Sequence, residues 1–329
     1  MVKKLLSLLL VALFMLAACG NQDTTGNEDS GSEDTASNGS DEDDDAIVGD
    51  GTQTIVYLGE NYPVPAAIEK IVTASLESME DALMLGVKPD GAIATGGEFP
   101  EYFGDSMSEA AEIGDKMQPS NEILLQIEPD VILGTSKFQP EVAENLNSIA
   151  TMIPISHFST DWKDNLLVLA ELAGKTEEAE AIIDQYENDA ANLREQLAEK
   201  MADKTILMVR IRGGSVYIYS EDVYFNPVLY SDLALPVPEE IQASETQEMI
   251  SLEKLAEMNP DYLFVQFEET ENAEAPDALS ALQDDAIWQS MEAAKNDRVF
   301  VNSVAPMAAG GTAWSKTEFL KVVEEKLLD

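Results

Sequence analysis

Twice along this chain, short apolar runs rich in β-branched residues alternate with amphipathic stretches, and once, from Asp161 to Lys200, the alternation stops. Strands alternating with helices build a parallel sheet with helices on both faces. In the first half the strand-like runs are Thr54–Leu58, Ile71–Ala74, Gly91–Thr95, Val131–Gly134 and Met152–Ile155. Helical patterns fall between them at Ser78–Leu85, Asn121–Ile127 and Glu141–Ile149. Leu85-Gly86-Val87-Lys88-Pro89 reads as a helix stop, with glycine past the last turn and proline soon after. In the second half, strands are expected at Thr205–Arg212, Ser215–Tyr219, Tyr262–Gln266 and Arg298–Asn302. The helices expected there are Asn226–Asp232, Leu252–Met258, Ala286–Ala294 and Trp314–Leu328.

The middle stretch carries no strand signal, and Gly174 is its only glycine. It reads as a helix Asp164–Ala173 followed by a longer one from Thr176 to near Lys200, roughly 35 Å at 1.5 Å per residue. A helix of that length suits a stiff connector better than a crossover within one sheet. The expected fold is therefore α/β, two Rossmann-like lobes joined by a single long connector helix. The first lobe is expected over 53–160, the connector helices over 161–203 and the second lobe over 204–329.

The first residues set the compartment. Lys3 and Lys4 precede an apolar run, Leu5 to Leu16, too short to span a bilayer as a mature helix. It ends in Leu16-Ala17-Ala18-Cys19, small residues followed by the chain's only cysteine. This is the pattern of a bacterial lipobox: a signal peptide over 1–18, and acylation of Cys19. A lone cysteine also rules out an intrachain disulfide. From Cys19 to Thr52 the chain is mostly Asp, Glu, Ser, Gly, Asn and Thr, with an unbroken acidic run Asp41–Asp45. Such a segment cannot bury enough surface to offset its ordering entropy, so a disordered acidic tether is expected. With 63 Asp and Glu against 19 Lys and Arg, neither nucleic acid nor an anionic lipid surface suits the chain as a partner.

Two segments repeat at matched places in the halves. Asn121-Glu122-Ile123-Leu124 runs to Glu128-Pro129-Asp130-Val131-Ile132-Leu133, and Leu252-Glu253-Lys254-Leu255 runs to Asn259-Pro260-Asp261-Tyr262-Leu263-Phe264. Each sets a glutamate in a helix's first turn, where it complements the helix dipole. Repeated on two lobes, Glu122 and Glu253 would also offer one exposed carboxylate each to the arginines of a two-fold partner. The lipobox, acidic tether, paired segments and connector together resemble the iron-siderophore and cobalamin class of ABC-transporter binding proteins. That resemblance covers Thr54 to Asp329. It implies two lobes with limited closure, and docking of Glu122 and Glu253 onto ABC-transporter permease subunits.

Ligands of open α/β sheets bind beyond the carboxyl ends of strands. Arg210 and Arg212 stand two apart at such an end, before Gly213-Gly214, and so share one face. The chain has only four arginines. A guanidinium grips carboxylate, catecholate or hydroxamate oxygens in a fork, although a solvated strand end would use the same residues. Lys137, with Gln139 beside it, follows the strand Val131–Gly134; chance exposure of a loop lysine accounts for it as well as contact does. Tyr224 and Trp314 open helices on the expected cleft side, where either could stack on ligand or pack inward. Members of the resembled class that bind anionic chelates carry basic pairs at the place of Arg210 and Arg212. The resemblance thus implies an extracytoplasmic, membrane-anchored lipoprotein that captures a ferric siderophore, with no cofactor of its own; a monomer is the default expectation. Cobalamin or haem binding on the same fold, or a surface sensor or adhesin without an import role, are the alternatives.

Catalysis is not expected. His157 is the only histidine, so a clustered protein metal site or a Ser–His dyad has little to draw on. Gly310-Gly311-Thr312-Ala313-Trp314-Ser315-Lys316-Thr317 comes near a phosphate-binding loop, but Ser315 stands where the second glycine belongs.

Overall fold

The computed structural model describes residues 51–328. The expected signal peptide, Cys19 and all but the end of the expected acidic tether lie outside the described residues. Among those described, no helix is long and apolar enough to cross a membrane.

A hairpin, β1 (Thr52–Tyr57) and β2 (Glu60–Pro65), opens the described chain. The first lobe follows as β3 (Ile71–Ala74), α1 (Leu76–Leu85), β4 (Gly91–Ala94), β5 (Ala111–Asp115), β6 (Gln118–Pro119), α2 (Asn121–Ile127), β7 (Val131–Thr135), α3 (Pro140–Asn147) and β8 (Thr151–Ile155). Its sheet has the order β6-β5-β4-β3-β7-β8, parallel except for the edge strand β6. β3, β4 and β7 are buried along their whole length, as near-continuous apolar strands with both faces covered must be.

The chain then enters α4 (Trp162–Ala173) and α5 (Thr176–Leu197), with Gly174 in the left-handed conformation between them. α4 packs on α1 and β1, whereas α5 packs on α4 and on the last helix of the chain. At 22 residues, α5 runs about 33 Å.

The second lobe comprises β9 (Ile206–Arg212), β10 (Ser215–Tyr219), α6 (Glu239–Ala243), β11 (Gln247–Ile250), α7 (Leu252–Met258), β12 (Tyr262–Phe267), α8 (Ala278–Asp284), α9 (Ala286–Gln289), α10 (Glu292–Lys295), β13 (Val299–Val301) and α11 (Ala313–Leu328). Its sheet, β11-β10-β9-β12-β13, is mixed: β9, β12 and β13 run parallel, while β10 and β11 are antiparallel. Two expected helices differ. Ala286–Ala294 divides into α9 and α10 at Ser290 and Met291, and Asn226–Asp232 is a wide π-type turn over Val228–Asp232.

The repeated segments adopt one structure twice. Ser120 caps α2 by accepting from Ile123 N–H, and Ser251 caps α7 by accepting from Lys254 N–H. Each helix ends on a left-handed residue, Glu128 or Asn259, and turns through Pro-Asp into a buried strand. Asp130 accepts from the N–H groups of Glu69 and Lys70 just ahead of β3, and Asp261 accepts from Thr205 N–H just ahead of β9. The Pro-Asp pairs therefore clamp strand starts.

A buried ion pair fastens α11 beneath α5. Lys316 Nζ donates to Asp232 Oδ2 at 2.7 Å, Tyr186 of α5 donates to the same oxygen at 2.6 Å, and the rings of Trp162 and Tyr186 flank the ammonium. Burial lowers the Lys316 pKa, with Asp232 working against the shift.

Candidate functional site

The strand period places Arg210 and Arg212 on one face of β9 with the buried Ile211 between them, opposite Tyr217 and Ser215 of β10. Both reach a cavity of about 230 Å³ that Lys116, Lys137, Glu77, Glu271 and the backbone-rich stretch Met307–Ala309 also line. Met307 borders as well a wider, more open cleft of about 1000 Å³, which Tyr102 and Phe267 help to line. The cavity's cations come from both lobes: Lys116 from the turn between β5 and β6, Lys137 from just past β7, and the arginines from the end of β9.

Their settings differ. Arg210 is largely buried, donates through Nε (3.0 Å) and Nη2 (2.6 Å) to Glu271 Oε2, and lies over the ring of Tyr224. Burial opposes its charge, yet Tyr224, Glu271 and Tyr219 together hold its proton more firmly than usual. Arg212 lies over the ring of Tyr217, 5.4 Å from its centroid, and among the described residues has no carboxylate within ion-pair range. Lys137 Nζ sits 3.2 Å from Glu77, and Lys116 Nζ sits 3.6 Å from the second oxygen of Glu271. His157 lies nearby, its ring stacked on Phe158 and its Nδ1 2.9 Å from Ser136 Oγ; burial, then Lys137, lowers its pKa.

The structure thus brings Arg210, Arg212 and Lys137 together and leaves Gln139, Tyr224 and Trp314 outside the cavity lining. Gln139 is exposed at the start of α3, while Phe138 turns inward beside Gly134. Tyr224 is buried at φ +64°, supporting Arg210 with its ring, and its hydroxyl has no hydrogen-bond partner among the described residues. Trp314 stacks on Tyr102 at 4.7 Å, because the start of α11 is drawn against α1. Sequence reasoning missed Lys116 and Glu271. The available signal was a basic residue following Gly114-Asp115 at the end of an unrecognised strand, amid acidic neighbours.

Glu122 and Glu253 are both exposed. Glu253 turns back on the start of its own helix, where its own N–H and then Ser251 lower its pKa.

Gly310-Gly311 serves packing. A Cβ on Gly310 would meet the ring and backbone of Tyr224, and one on Gly311 would overlap Ser159, whose hydroxyl donates to the Tyr224 carbonyl at 2.8 Å. Among the described residues, no group of three or more His, Cys, Asp or Glu side chains could hold a metal.

Two α/β lobes with a cationic cavity at the carboxyl ends of their strands define a solute-binding protein. The family model for periplasmic binding proteins matches residues 71–303, and the chain belongs to that family. It is 45% identical over 329 residues, 99% of each chain, to the iron-uptake system-binding protein of Bacillus subtilis. The crystal structure of the triscatecholate siderophore-binding protein FeuA from Bacillus subtilis, complexed with ferri-bacillibactin, superposes with a TM-score of 0.79 at 48% identity, covering 84% of this chain and 98% of that one. Staphylococcus aureus SirA, solved with staphyloferrin B, shares the fold at a TM-score of 0.72 and 22% identity, over 84% of this chain and 98% of that one.

Proposed function

We propose that this protein captures a ferric siderophore of the triscatecholate class and delivers it to the permease of an ABC importer. The observation that carries this reading is the meeting of Lys116, Lys137, Arg210 and Arg212 on one cavity, in a chain of formal net charge −44. Glu77 and Glu271 offset only part of this positive charge, and the excess favours an anionic ligand. A ferric triscatecholate is a trianion that presents oxygens in several directions, and it suits donors arriving from two lobes. The ligand of the similar FeuA protein supports the same choice. In this reading Cys19 carries the lipid anchor on the outer face of the cell membrane. The protein acts as a monomer, with Glu122 and Glu253 engaging the permease.

The test is a titration of ferri-bacillibactin against tryptophan fluorescence. Replacing both arginines, Arg210→Ala with Arg212→Ala, should weaken binding at least tenfold, because each charge-assisted hydrogen bond contributes about 1.5–3 kcal/mol. An unchanged affinity removes the site.

A further inference from the structure

Two carboxylates stand among the four cations, and one of them is built in firmly. Glu271 lies on the short turn Thr270–Asn272, which is pinned to the β9–β10 hairpin. Gly213 N–H donates to the Glu271 carbonyl at 3.1 Å. The Asn272 side chain donates to the carbonyls of Ile211 (2.9 Å) and Glu268 (2.8 Å) and accepts from Gly214 N–H at 3.0 Å. The hairpin that presents Arg210 and Arg212 therefore also fixes the place of Glu271. Its carboxylate, only 11% exposed, holds Arg210 through one oxygen and reaches Lys116 of the other lobe with the second. Glu77 stands against Lys137 in the same way, while Arg212, alone of the four, has no carboxylate partner among the described residues.

We infer that Glu271 is a resident competitor for the ligand: it occupies the donor positions of Arg210 and Lys116, limits affinity for the anionic chelate, and keeps small inorganic anions out of the cavity. This rests on the ferric-chelate reading above. A multiply charged chelate takes donors from several side chains at once and displaces the carboxylate. A small anion can replace only one or two contacts and cannot. Once displaced, Glu271 stays beside a trianion, and like charges in a partly buried site repel. When the chelate leaves, Glu271 recaptures Arg210, so release does not strand a buried guanidinium without a partner.

The experiment compares wild type with Glu271→Gln, which keeps the shape and an acceptor oxygen but removes the charge; Glu271→Ala repeats the test should the amide disturb the turn. Folding is checked by the thermal midpoint. Ferri-bacillibactin should bind at least fivefold more tightly to either variant. Inorganic phosphate at millimolar concentration should bind the variants, measured by calorimetry, and not the wild type. Weakened or unchanged chelate binding, which would mean that Glu271 merely orients Arg210, overturns the inference. Should wild type fail to bind ferri-bacillibactin at all, the ligand reading fails instead, and the phosphate arm still decides the role of Glu271: equal phosphate binding by wild type and variants refutes it.

Discussion

Ser315 donates its hydroxyl to Glu80 Oε2 at 2.5 Å, tying the first turn of the last helix to the first helix of the other lobe. Thr312 donates to the same oxygen at 2.5 Å, and the Tyr102 hydroxyl and Ala309 N–H each donate to Oε1 at 2.8 Å. Burial raises the Glu80 pKa, and these donors work against the shift. The carboxylate therefore fixes the segment from Ala309 to Ser315, which continues the cavity wall Met307–Ala309, against α1. Ser315→Ala leaves the buried carboxylate one donor short and should lower unfolding stability by about 1.5–3 kcal/mol. Urea denaturation reads this directly, and a midpoint equal to that of wild type would show that the hydroxyl contributes nothing.

Asp81, next in the chain, is equally buried, and among the described residues its oxygens lack a full hydrogen bond, the Ala313 backbone giving only partial relief. Burial, followed by the charge of Glu80, raises its pKa well above the ordinary carboxylate value. The sign follows. Between the unfolded value, about 3.9, and the raised folded value, the native state keeps a proton that the unfolded chain has lost, so stability falls as pH rises through that window. Asp81→Asn carries no such proton. Relative to wild type it should gain stability as pH climbs from 5 towards 8. Denaturant midpoints measured across that range check the prediction, and parallel curves for the two proteins would refute it.

The arginine pair was legible because strand periodicity is a local property: Arg210 and Arg212 had to share a face, and Gly213-Gly214 marked the strand end. Lys116 and Glu271 were not legible. They lie on turns whose meeting depends on β5 pairing beside β4 and on the Asn272 side chain pinning the Thr270–Asn272 turn, contacts distant in sequence. Fully buried strands such as Ile71–Ala74 stood out through unbroken apolar runs. β2, with Pro63 and Pro65, and β11, exposed along most of its length, carried no comparable pattern. The phosphate-loop likeness of Gly310-Gly311, set aside because Ser315 replaces the second glycine, has a packing origin: glycine required by close approach to Tyr224 and Ser159 reads the same as glycine required by a ligand.

The repeated segments set a structural aspartate and a proposed docking glutamate within one motif. Asp130 and Asp261 clamp strand starts, so replacing them should disturb folding. Glu122 is different: it is exposed at the start of α2, where Ser120 already supplies the cap, and among the described residues its side chain makes no hydrogen bond or ion pair. Its counterpart Glu253 is held by its own N–H and by Ser251, so a change there also disturbs the start of α7. Glu122→Arg is thus the cleaner probe. It should leave the thermal midpoint and ferri-bacillibactin affinity within twofold of wild type while reducing siderophore-dependent iron uptake at least tenfold, since it sets a cation against the arginines expected on the permease. Radiolabelled iron uptake by cells carrying only the variant measures the effect. Full uptake would remove the docking role, and loss of chelate binding would make the glutamate structural.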